Sequence, residues 1–433
     1  MGNMSLVIRP SAGFLSDSQM LQKAVSTASS EGVGKVVIPR INPRTGEAKY
    51  VIDEAILLPS DIEITLDNCY ITVAEDAMCN IFRNENMYKE GWLTKEKEQK
   101  NIKIIGKGHA ILDGYGHNEV FEWSEETNGY PHILCNNMIL FHNVDGFEVK
   151  NIEVRNQRWW ALNFIYCSNG YIGDIVSKAK AMFSNQDGIY LRSGCHHITI
   201  ERISGASGDD LIALTAMGGF TNRMPVEGKS IDVHDIIIRD IIGTSVHEGI
   251  ITVRCHDGRH VYNLLIENVI ESNHEDENNL PYGTVMIGQN YFYSEYTGRY
   301  NDMHDITVRN VYNKSGGTCF TLGITLVNSS FENIHTSGSI NAFTTTNYDH
   351  EGSVKIVKRG YGEDGIKING VKISDVFASE DMKGAIFDFS EMRDEDFIEN
   401  LEISNVHYEG NNEVLKYCEN GKSKILFEGE LMV

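Results

Sequence analysis

The sequence predicts an all-β chain wound as a single-stranded right-handed parallel β-helix, a solenoid with a capping helix at its N-terminal end. Three observations predict it. A six-residue strand pattern recurs nine times, helical periodicity disappears after about residue 40, and forty glycines with only seven prolines suit many short strands joined by turns.

The elements follow in chain order. Ser16 caps a helix expected over about residues 17–31, with Gln19 completing a capping box. Met20, Leu21, Ala24, Val25 and Ala28 form one apolar stripe along it, and Gly32 and Gly34 stop it. Lys35-Val36-Val37-Ile38-Pro39 reads as a strand. Residues 1–40 are thus a cap region, with the helix over the open end of the solenoid, where an uncovered sheet edge invites aggregation.

From there the repeat is apolar, any, apolar, any, polar, apolar. Its copies begin at Phe147, Gly170, Ile198, Ile236, Leu264, Ile306, Ser329, Val371 and Leu401, and the fifth position is Asn or Asp in eight of the nine and Arg202 in the other. Asn suits a tight corner, because it tolerates left-handed geometry and bonds the backbone nearby. The starts lie 23, 28, 38, 28, 42, 23, 42 and 30 residues apart. The shortest intervals fit one rung of roughly 22 residues, and the longer ones imply lateral loops or an extra rung near 42. Several rungs carry a second short strand, at 189–191, 212–214, 250–253 and 285–287. Parallel strands need crossovers, and with no helical period between them those crossovers are further strands and turns, which argues against a doubly wound α/β sheet. A β-propeller has longer, antiparallel blades. No linker or low-complexity stretch divides residues 1–433, so one domain is expected.

Charge narrows the partners. Lys and Arg number 38 against 61 Asp and Glu, a formal net charge of −23. That argues against a nucleic-acid binder, which needs a basic face to track phosphates, and against adsorption to an anionic membrane. No run of 18 apolar residues occurs, so no membrane span is expected. The first residues hold no apolar signal segment, which points to a cytoplasmic setting as written, or a secreted one if a leader has been cleaved. Eight cysteines, at 69, 79, 135, 167, 195, 255, 319 and 418, lack CxxC pairing and are expected as buried free thiols, so neither a metal nor another cofactor is expected.

The chemistry concentrates in two short stretches. Asp187 precedes the strand Ile189-Tyr-Leu191, and Asp209 and Asp210 precede Ile212-Ala-Leu214, 22 to 23 residues later. One rung apart means a separation near the ~4.8 Å spacing of adjacent strands, so three carboxylates are expected on one patch. Such crowding raises the pKa of at least one member, which supplies the acid and the carboxylate that glycoside hydrolysis needs. An Asp ladder in ordinary turns is the alternative. One rung further, His247 in Ser245-Val-His-Glu-Gly-Ile-Ile251 would fall beside them. Trp160 and Tyr291 are offered as sugar-stacking platforms, with packing as the competing role.

These stretches resemble glycoside hydrolase family 28, the polygalacturonases and their relatives. Asn185-Gln186-Asp187 looks like the family's Asn-Thr-Asp, Gly208-Asp209-Asp210 like its Gly-Asp-Asp, and Val246-His247-Glu248-Gly249 like a degraded Gly-His-Gly. Ala110–Gly116, Pro131–Leu134 and Asn156–Leu162 are similar to the segments that lead into the family's active-site rungs. The resemblance implies an inverting mechanism on a pectic or related plant-type carbohydrate. In it Asp209 is the general acid, Asp187 and Asp210 hold and activate water, and His247 assists, with acid and base roughly 6.5–9.5 Å apart. Asn185 and Gln186 then line the substrate. Where the family has Arg-Ile-Lys, this chain has Gly283-Thr-Val-Met-Ile-Gly288, and Arg254 is a partial replacement. The missing cations and the −23 charge point away from tightly bound polygalacturonate, toward a neutral sugar or a different pectin-derived or plant oligosaccharide. Two rival classes share the solenoid. One is a Ca²⁺-dependent polysaccharide lyase or a fructan transferase, and the other is a non-catalytic, tailspike-like carbohydrate binder.

Overall fold

Residues at the corners of the coil decide its shape. In the computed structural model all nine fifth-position residues of the repeat are left-handed, with φ between 54° and 59°. Non-glycine residues pay least for this conformation when they are Asn or Asp. Their side chains then bond from rung to rung. Asn268 donates to Asp240 at 2.8 Å, Asn310 to Asn268 at 2.9 Å, and Asn333 to Asn310 at 2.8 Å. Arg202, the exception in sequence, keeps the bond: its Nε donates to Asp174 on the neighbouring rung at 2.7 Å. A second left-handed column stands one residue before each copy, at Gly146, Asn169, His197, Asp235, Asn263, Asp305, Asn328, Gly370 and Asn400.

The structure describes residues 5–8, 13–75, 77–115, 136–179, 185–217, 224–246, 248–255, 258–272, 281–288, 302–314, 317–345, 367–390, 396–417 and 424–432. They form two compact units, one of residues 1–191, 195–208 and 224–229, the other of residues 192–194, 209–223 and 230–433. Both are built from the same parallel coil.

In the first unit one ladder runs through Lys35–Ile38, Ile62–Asp67, Gln99–Lys107, Val144–Arg155, Ser168–Lys178 and His196–Ala206. A second joins Ile56–Leu58, Phe82–Asn84, Ile139–His142 and Leu162–Ile165. In the second unit the repeat strands Val233–Thr244, Val261–Glu271, Met303–Asn313, Ser330–Thr336, Lys367–Ala378 and Phe397–Tyr408 pair in sequence order. The strands between them, Ile212–Ala216, Gly249–Cys255, Gly283–Ile287, Thr318–Leu322, Phe343–Thr344, Phe387–Phe389 and Leu415–Tyr417, form the other ladder. Every pairing named is parallel. The 42-residue intervals hold no extra rung: Leu264 pairs directly with Ile306, and Phe331 with Ile373. Each of those intervals therefore advances the ladder by a single rung.

The inner positions fill with stacked apolar side chains. Phe320 and Phe343 lie 4.6 Å apart, and Phe343 and Phe387 5.6 Å apart, close to the rung spacing. Gly170 opens its copy of the repeat because Phe147 already fills that space, and an added Cβ would meet the Phe147 ring at 2.1 Å. Of the eight cysteines, those at 69, 167, 195, 255 and 319 are buried free thiols, as expected, Cys79 is free but only half-buried, and residues 135 and 418 lie outside the described set.

The helix spans Asp17–Ser30, with Ser16 accepting from the Gln19 N–H, and its five predicted stripe residues are all buried. Its polar side chains do a second job that hydrophobic patterning does not reveal. Asp17 accepts from the Val51 N–H at 2.8 Å, Ser18 from those of Asp53 and Glu54 at 3.0 and 3.2 Å, and Gln22 from Leu57 at 2.7 Å. These donors belong to the first coil, where no preceding strand among the described residues meets them, so the helix satisfies an edge that would otherwise template aggregation. The C-terminal strand Ile425–Phe427 pairs antiparallel with Glu430–Met432 through left-handed Glu428 and Gly429, a two-residue hairpin turn.

Two predictions follow from this architecture. Asp17→Ala strips the Val51 N–H and the Arg44 guanidinium of a buried acceptor. It is expected to cost about 2–3 kcal/mol in urea unfolding, and a loss below about 0.5 kcal/mol would refute the edge-capping role. The second concerns Glu153. Burial pushes its carboxyl up, but hydrogen bonds from Arg155, His109 and Lys178 outweigh that and hold it down at about 2. A folded value below the unfolded one contributes stability that is complete above about pH 4.5 and lost as pH falls toward 2. Melting temperature followed across that window should therefore drop less steeply for Glu153→Gln than for the wild type.

Candidate active site

The first unit holds the Asn-Gln-Asp turn. Asn185 is left-handed, φ 67°, and half-buried, which swings the chain into the strand Ile189–Arg192. Gln186 is fully buried and linked to Gln157 on the preceding rung: its Nε2 donates to the Gln157 carbonyl at 2.7 Å, and Gln157 Nε2 returns a bond to the Gln186 carbonyl at 3.2 Å. Gln186 thus braces two rungs. Asp187 is 3 % exposed, and its carbonyl accepts from Ala161 at 3.0 Å, which locks the backbone beneath its carboxylate. Trp160 does not stand out as an open platform. It is 5 % exposed and packs edge-on against Tyr190 with ring centres 4.6 Å apart, because apolar surface this large is stabilised most by burial.

The second unit holds the Asp pair. Asp209 and Asp210 lead into the strand Ile212–Ala216, which lies beside Gly249–Cys255 with Ile212 opposite Ile251. Asp209 Oδ1 accepts the N–H of Asp210 at 3.0 Å, a local turn that fixes both carboxylates relative to the backbone. Asp210 is fully buried, while Asp209 at 9 % is the most exposed of the three. Asp210 Oδ1 accepts from the Gly249 N–H at 3.1 Å and from the Thr252 hydroxyl. Its Oδ2 lies 2.8 Å from Arg254 Nη2, an ion pair without the alignment of a good hydrogen bond. Gly249 is needed for space, since a Cβ there would sit 2.5 Å from Thr252 Oγ1.

The sequence offers Arg254 as a partial replacement for the family's missing cations. Its side chain is 9 % exposed and joined to Asp210. Where the Arg-Ile-Lys motif is missing, Gly283–Ile287 is a wholly buried strand that offers Thr284 and Met286 in place of cations. His247 and Tyr291 lie outside the described residues. The sequence assigns no role to Gln157, Gly249 or Thr252, although the first two lie within the quoted family segments. A polar Thr within the apolar run Ile250-Ile-Thr-Val253 was the available signal.

The profile described as Glycosyl hydrolases family 28 matches residues 54–226, a segment that contains both acidic turns. Among solved structures, the family 28 exopolygalacturonase of Yersinia enterocolitica aligns with a TM-score of 0.63 at 12 % identity, covering 99 % of this chain and 79 % of that one. A hyperthermoactive exopolygalacturonase from Thermotoga maritima aligns at 0.56 and 15 %, covering 91 % and 88 %. PfbA, a surface adhesin of Streptococcus pneumoniae, aligns at 0.59 and 11 %, covering 94 % and 91 %. At these identities the structural likeness carries the fold. The coil described above is a right-handed parallel β-helix, and its residues 54–226 match the model of glycosyl hydrolases family 28.

Proposed function

We propose that the protein is an inverting glycoside hydrolase acting on a pectic or related plant-type poly- or oligosaccharide. The observation that carries this reading is the family match over 54–226, which includes Asn185-Gln186-Asp187 and Gly208-Asp209-Asp210. The burial of the carboxylates supports it. Asp209, the most exposed, is assigned as the acid that protonates the leaving oxygen, because that group must meet substrate. Asp187 and Asp210 are assigned to the water side, and His247 to hydrogen bonding with this group. The buried strand Gly283–Ile287 supports a neutral or esterified sugar over a free uronate, since it offers no cation to a carboxylate.

Asp209→Asn tests the acid assignment. On whichever substrate a screen of pectic, fructan and neutral plant oligosaccharides identifies, it is expected to lower kcat about 10²–10⁴-fold. Wild-type turnover in that variant would remove the assignment. Proton NMR of the first product formed should show the anomeric configuration opposite to that of the bond cleaved, and retention would exclude the inverting mechanism.

A further inference from the structure

We propose that Arg254 is a positioning residue that holds the proposed acid, Asp209, in place through Asp210, and that it does not bind substrate. The inference rests on the hydrolase reading above.

Among the described residues, one strand supplies the partners of the Asp210 carboxylate: two hydrogen-bond donors and a cation. Gly249 gives its N–H, Thr252 its hydroxyl and Arg254 its guanidinium, all from Gly249–Cys255. Thr252 and Arg254 are two residues apart, so they share a face of the strand. Arg254 lies opposite Thr215 and reaches back along the strand to Asp210. Asp210 has no exposed surface, so the charge it carries must be balanced within the protein. Arg254 supplies that balance on Oδ2, while Gly249 and Thr252 occupy Oδ1.

The link to the reacting carboxylate is short. The N–H of Asp210 donates to Asp209 Oδ1 at 3.0 Å. A displacement of Asp210 therefore turns the donor that orients Asp209. The chain of influence runs from Arg254 to the Asp210 carboxylate, then through the Asp210 peptide to Asp209. A delocalised, weakly hydrated guanidinium suits a buried ion pair of this kind, whereas an ammonium is a compact, strongly hydrated charge on a flexible stem.

Steady-state kinetics on the accepted oligosaccharide separate positioning from binding. Arg254→Gln should lower kcat about 10²-fold with KM unchanged, the size expected when a reacting group is misplaced by about 1 Å. Arg254→Lys, which restores charge but not shape, should recover part of that and remain about ten-fold below wild type in kcat, again with KM unchanged. A rise in KM at constant kcat in either variant would make Arg254 a substrate ligand and overturn the assignment, as would wild-type kcat in Arg254→Gln. If Arg254→Gln does not fold, the same split in Arg254→Lys decides. Melting temperatures test the pair without activity: Arg254→Gln/Asp210→Asn should melt higher than Arg254→Gln alone, and strictly additive losses would refute the coupling. Wild-type turnover by Asp209→Asn, or no hydrolysis by the wild type, fails the hydrolase reading, and the positioning role falls with it. A KM effect in an otherwise active enzyme fails the positioning role alone.

Discussion

The left-handed corner is the constraint from which the rest of the structure follows. A strand becomes a coil only if the chain turns sharply at the same place on every rung, and an L-residue resists that turn. Asn and Asp lower the cost, and stacked corners add a side-chain bond between rungs, as in the series Asp240, Asn268, Asn310 and Asn333. With the corners fixed, the apolar positions on either side fall inward in register. The phenylalanine stack at Phe320, Phe343 and Phe387 is a result of that register.

Much of this was legible because it is periodic and local. The apolar alternation and the fifth-position Asn specify strand, face and corner within six residues. Arg202 looked like a break in the pattern, yet it lies at φ 54° and reaches Asp174 as an asparagine would from a shorter stem. The second column of corners escaped notice because Gly, Asn, His and Asp all occupy it, so no single residue type marks it. The antiparallel C-terminal hairpin escaped for another reason: Glu428 precedes Gly429, and Glu is an unusual choice for a left-handed turn position.

The candidate site was legible in part. Acidic residues before apolar strands announce themselves in sequence, and the family motifs name them. Their partners do not. Thr252 and Arg254 lie more than forty residues after Asp210, and only strand register brings them to it. Arg254 read as a partial replacement for the missing cations because its counter-ion belongs to another rung. Gln186 and Trp160 read as substrate contacts because polar and aromatic residues near a motif invite that role; their bond to Gln157 and packing on Tyr190 are contacts the motif does not announce. The outcome is a graded set of carboxylates, from the fully buried, charge-compensated Asp210 to the more open Asp209.

Rungs that differ by nineteen residues in length, 23 against 42, present the same strands to their neighbours. Closing a longer excursion costs only slowly more entropy, so the wall of the coil is nearly indifferent to what is threaded out from it. Variation is thereby decoupled from folding. New surfaces can be grafted between one corner and the next while the stacked strands keep their spacing.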